Sequence, residues 1–114
     1  MAYSEIEIQR IKNSVGEMCR RRSPVQYKDQ LEYIFEINGQ SVSIYEIRPR
    51  WDNPREKTKL GVARFKYIRS QKQWRLYWMS RDLKWHLYDP DEMPKTLEAL
   101  VRVVDKDQHG AFFG

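Results

Sequence analysis

Six residues carry the chemistry of a polyanion grip: Lys66, Arg75, Tyr77, Lys84, His86 and Tyr88. Lysine and arginine neutralise phosphates. Tyrosine and histidine rings stack on bases, and sheets that interleave the two types bind RNA and single strands. The plainer reading is a solvated face, since tyrosines and long basic side chains form strands well and keep their tips wet. That is the commoner fate of such a face. The spaced aromatic motif of the common RNA-recognition sheet is missing.

A second cluster is Glu46-Ile47-Arg48-Pro49-Arg50-Trp51. On a strand, Glu46 and Arg48 leave from the same side about 6–7 Å apart. As a functional site, Arg48 and Arg50 would hold a phosphate or carboxylate and Glu46 would orient them. As structure, Glu46 and Arg48 would form an ion pair closing the sheet edge, with Trp51 packed over it. Structural pairs are common and mimic functional sites, so the structural reading leads.

Other chemistries lack their residues. His86 and His109 lie far apart, outside any closely spaced ligand set, so no metal is implied. Asp82-Leu83-Lys84 matches a nuclease fragment only three residues long, across an expected turn and without a partner acid. Cys19 is the one cysteine, which excludes an internal disulfide. Beside Met18 it reads as a small apolar filler. The five glycines are scattered and form no phosphate loop, so no cofactor is implied. The balance leans away from an enzyme.

These side chains must be held by a small fold. The chain has 114 residues, the usual size of one domain. Aromatics make up 13% of it, which argues against disorder. No signal-like or membrane-length apolar run occurs, so the expected setting is the cytosol, with no membrane partner. The net charge is +5, and its distribution is uneven. Residues 61–88 hold seven Lys/Arg against one acid, and the rest of the chain holds 14 against 15. The same segment carries seven of the 15 aromatics.

Residues 4–22 predict a helix. Ser4 and Glu7 form a capping box, Tyr3 and Ile8 a hydrophobic staple, and Ile8, Ile11, Val15 and Met18 an apolar stripe. Arg20, Arg21 and Arg22 suit the negative end of the helix dipole, and Pro24 stops the helix. Residues 31–37 alternate as a strand, Asn38-Gly39 turns the chain, and residues 40–48 return. That turn would set Phe35 opposite Val42 and Tyr33 opposite Ile44. Residues 49–61, with two prolines and a glycine, read as a long connection and a functional or mobile candidate.

Strands are expected at residues 62–70, 73–80 and 83–89, joined by two-residue turns at Gln71-Lys72 and Arg81-Asp82. Phe65, Tyr67, Trp74, Leu76, Trp78, Trp85 and Leu87 would then share the core face, with Trp78 opposite Trp85. Arg64, Lys66, Ile68, Arg75, Tyr77, Met79, Lys84, His86 and Tyr88 would share the other. Pro90 and Pro94 bracket a turn, and a helix runs from its cap Thr96 to about Lys106 with Leu97, Leu100, Val101 and Val104 inward. The fold class is α+β: a five-stranded antiparallel meander with an N-terminal and a C-terminal helix packed on one face.

Three segments together resemble a known family. They are Glu46-Ile47-Arg48-Pro49-Arg50-Trp51; Trp74-Arg75-Leu76-Tyr77-Trp78-Met79 with Asp82-Leu83-Lys84-Trp85-His86 and Tyr88; and the closing Gly110-Ala111-Phe112-Phe113-Gly114. They look like the small bacterial proteins grouped as domain of unknown function 3024. The resemblance implies a stand-alone bacterial protein and transfers no activity or site residue. The function expected from the residues is non-catalytic binding of nucleic acid or another polyanion by the basic, aromatic sheet face. The alternatives are a protein-interaction or homodimer module burying that face, and an enzyme or small-anion site near Glu46 and Arg48.

Overall fold

A computed structural model of the protein describes residues 3–23, 30–89, 94 and 96–113. Pro24, Pro90 and Gly114, to which the sequence assigned a helix stop, a turn and a motif end, lie outside the described residues.

The capping box forms at Ser4 and Glu7 and starts α1 (Glu5–Ile11). The helix does not run evenly to residue 22. A π-helical stretch, Lys12–Gly16, separates α1 from α2 (Glu17–Arg22). Ser14 Oγ donates to the Arg10 carbonyl at 2.8 Å, one of the side-chain bonds that perturb a helical ladder. Gly16 lets the sheet come close, for a Cβ there would stand 3.1 Å from the Phe35 ring. Ile11, Val15, Met18 and Cys19 are buried. Burial pushes the Cys19 thiol up to about 12, which leaves it an inert apolar filler.

The sheet is β1 (Glu32–Asn38), β2 (Ser41–Pro49), β3 (Lys57–Ile68), β4 (Gln73–Met79) and β5 (Trp85–Leu87), in that spatial order, with every neighbouring pair antiparallel. In the first hairpin Gly39 and Gln40 make the turn, and Asn38 pairs with Ser41. Gly39 takes φ +61°, the positive value that a tight hairpin turn demands. The register therefore differs by two residues from an Asn38-Gly39 turn: Phe35 faces Ile44 and Ile37 faces Val42. An even shift keeps each side chain on its face. The β3–β4 connection behaves likewise, with a 3-10 turn at Arg69–Gln71 and Lys72 left-handed at φ 51°.

Nearly half of the long connection expected at 49–61 is strand. β3 begins at Lys57 and pairs with β2 as far as Pro49, so only residues 50–56 join them. Arg50 holds that turn together. Its guanidinium reaches Asp52 at 2.6 Å and Glu56 at 2.9 Å, and its N–H donates to the Glu56 carbonyl at 2.8 Å.

Both helices cover one sheet face, where Val42, Ile44, Ala63, Phe65 and Leu76 are buried. α3 (Leu97–Lys106) starts at Thr96 and points Leu97, Leu100, Val101 and Val104 inward as the spacing predicts. Arginines of the N-terminal helix clasp it. Arg10 reaches Glu98 at 2.8 Å, and Arg21 and Arg22 share Asp105 at 3.0 and 2.9 Å. The hydrogen bond from Arg10 holds the Glu98 carboxyl below its usual range.

Candidate nucleic-acid interface

The β4–β5 turn decides which side chains share the helix-free face. It holds three residues, Arg81, Asp82 and Leu83, instead of two. Leu83 N donates to the Ser80 carbonyl at 2.9 Å, and Ser80 N donates to the Lys84 carbonyl at 3.1 Å. Leu83 takes φ 61°, the left-handed residue of a three-residue hairpin loop. Asp82 braces the turn by accepting from Lys84 N at 3.0 Å and contacting His86 Nε2 at 3.1 Å. The Lys84 N–H, then the histidine, hold the Asp82 carboxyl below its ordinary range. This use of Asp82 absorbs the three-residue nuclease-like fragment into turn structure.

The additional turn residue slips β5 by one position, which exchanges its faces. Trp78 lies opposite His86, Met79 opposite Trp85 and Tyr77 opposite Leu87. The expected six-residue set is therefore divided. Lys66, Arg75 and Tyr77 stay on the helix-free face, where Lys66 pairs directly with Arg75 and Tyr77 with Arg64. Lys84, His86 and Tyr88 fall on the helix side. There the His86 ring lies 5.5 Å from Trp78, and Tyr88 packs against Phe112 at 4.9 Å. Trp78 is half-buried instead of fully interior.

Trp85 takes the vacated place on the helix-free face. It lies over Gly61, where a Cβ would meet its ring at 2.8 Å and the Met79 methyl at 2.7 Å. Gly61 is thus a strand glycine that seats an aromatic ring. A β-bulge between Ile44 and Tyr45 occurs beside it. The Arg64 guanidinium covers Trp85 at 4.5 Å from the ring centroid, and Arg64 Nε donates to the buried Ser43 Oγ at 2.9 Å. The Lys59 ammonium of β3 stands over Tyr45 of β2 at 4.4 Å and pairs with Glu36 at 2.6 Å. Gly61→Ala is expected to lower stability by about 1–3 kcal/mol through overpacking and to shift Trp85 emission. Thermal unfolding and tryptophan fluorescence measure both. An unchanged spectrum would contradict the seat.

The other candidate cluster is dispersed. Glu46 and Arg48 form an ion pair at 2.6 Å. Burial, then the Glu46 carboxylate, raise the nearby Tyr33 hydroxyl above its ordinary range. Arg50 does not join them, being engaged by Asp52 and Glu56. Trp51 is 95% exposed, so it packs over nothing. The residues that would make an anion pocket are already paired within the protein.

The closing Ala111-Phe112-Phe113 is anchored by Asp107, which ends α3 with φ 47°. Its carboxylate accepts from Phe112 N at 3.1 Å and Phe113 N at 2.8 Å. Phe113 lies beneath the Arg22 guanidinium at 3.7 Å and edge-on to Tyr33. Among the described residues, no group of three His, Cys, Asp or Glu is placed to hold a metal ion. No helix among them is long and apolar enough to cross a membrane.

The chain belongs to the family described as domain of unknown function DUF3024, whose profile matches residues 3–114. Comparison with curated proteins and with solved structures yields no match. The segments that carried the resemblance have structural work: the Glu46–Arg48 pair and Arg50 turn, Trp74 stacked on Tyr3 at 5.8 Å, the Asp82 turn, and the tail on Asp107.

Proposed function

We propose that this DUF3024 chain binds single-stranded nucleic acid, without catalysis, through the helix-free face of its sheet. One observation carries the reading. Lys66 and Arg75 stand directly opposite each other across β3 and β4, and no carboxylate among the described residues pairs with either. Like charges directly opposed destabilise a sheet. An anion between them offsets that repulsion. Beside this pair lie Tyr77 and the stacked Arg64 and Trp85. Phosphates on the basic row would bring bases against the rings, the arrangement by which single strands are held. A duplex hides its base faces and fits the rings less well. A cytosolic location goes with this role.

The test is fluorescence anisotropy of a labelled single-stranded oligonucleotide titrated with protein at increasing salt. Two phosphate contacts to a single strand, at Lys66 and Arg75, give a slope of log Kobs against log salt of about −1.4. Saturable binding with that slope supports the proposal. Absence of binding at low salt, or an affinity indifferent to salt, contradicts it.

A further inference from the structure

We infer that Arg64 makes this interface selective for guanine, an inference that rests on single-strand binding by the same face. Arg64 is half-buried and doubly fixed. Its Nε donates to Ser43 Oγ at 2.9 Å, and its guanidinium lies 4.5 Å from the Trp85 ring centroid. Ser43 is itself only 4% exposed, so the anchor is part of the sheet floor. No carboxylate among the described residues pairs with Arg64. A planar fork held this way has lost its flexibility before any ligand arrives, which favours binding.

Tyr77 lies directly opposite Arg64 in the ladder. A base laid against the Tyr77 ring presents its edge to the terminal nitrogens of Arg64. Two parallel N–H groups need two acceptors side by side in one plane. Guanine offers O6 and N7 and cytosine offers N3 and O2, whereas adenine sets a donor amino group beside N7 and thymine sets an N–H between its carbonyls; of the two bases that fit, the larger guanine covers more of the Tyr77 ring. A phosphate also accepts such a fork. Exposed Lys66, one row away with Arg75, stands where a solvated backbone would run, and Arg64 lies down among the rings. The geometry gives phosphates to the outer row and a base edge to Arg64.

The experiment compares three labelled single strands with the whole protein: oligothymidylate, the same strand with guanines inserted, and that strand with 7-deazaguanine, which lacks the N7 acceptor. The guanine strand is expected to bind roughly tenfold more tightly than oligothymidylate, and the deaza strand to lose most of that gain. Arg64→Lys keeps the charge and removes the fork. It is expected to equalise the three strands while leaving the salt slope in place. Equal affinities for the wild-type protein, or a preference that survives Arg64→Lys, would overturn the assignment and leave single-strand binding standing. Failure to bind any strand at low salt would overturn both readings.

Discussion

Phe65→Ala is expected to lower the unfolding free energy by about 3–5 kcal/mol, read from the midpoint of chemical denaturation. Phe65 is fully buried on β3, the middle strand of the sheet, opposite Val42 on one side and Leu76 on the other. Truncating it removes apolar contact and leaves a cavity that the sheet backbone cannot close. Trp78→Ala should cost less than Phe65→Ala despite the larger ring, because Trp78 is half-exposed next to His86. A larger loss at Trp78 than at Phe65 would contradict the observed β4–β5 register.

Charge reversal on the helix-free face should separate binding from stability. Lys66→Glu sets a carboxylate directly opposite Arg75 in place of a second cation. The fold should gain about 0.2–1 kcal/mol from the new cross-strand pair. Affinity for a single strand should fall about tenfold, and reversing Arg75 as well should bring the loss to about a hundredfold as phosphate contacts become repulsive. Lys84→Glu should change little, since the turn places Lys84 on the other side of the sheet. A greater effect at Lys84 than at Lys66 would remove the helix-free face as the site. A protein stabilised by Lys66→Glu with unaltered affinity would reduce the face to ordinary solvated sheet.

The five-strand meander and both helix stripes were legible because their signals are local and redundant. The Ser4 box, the Thr96 cap and the stripe through Leu97 and Val104 each repeat a simple spacing. Two hairpin registers were misread by two residues without consequence, since an even shift preserves faces. The β4–β5 turn differed by one, and that exchanged Lys84, His86 and Tyr88 for Trp85. The cause is a left-handed leucine at position 83, a conformation that sequence habit assigns to glycine or asparagine. Gly61 held the available clue, because a glycine inside a strand marks a close neighbour, here Trp85. Lys57–Leu60 hid its strand character, since all four residues are exposed and show no apolar alternation. The clasp of Arg10, Arg21 and Arg22 on Glu98 and Asp105 joins residues more than 80 positions apart, where no local pattern reaches.

The most direct test of the central claim is a nuclear magnetic resonance titration of the isotope-labelled protein with a short single-stranded oligonucleotide. The helix-free face predicts amide shifts concentrated at Ser43, Tyr45, Arg64, Lys66, Arg75, Tyr77 and the Trp85 indole, with α3 undisturbed. Shifts gathered on α3 or on the Glu46–Arg48 edge, or no shifts at all, would contradict it.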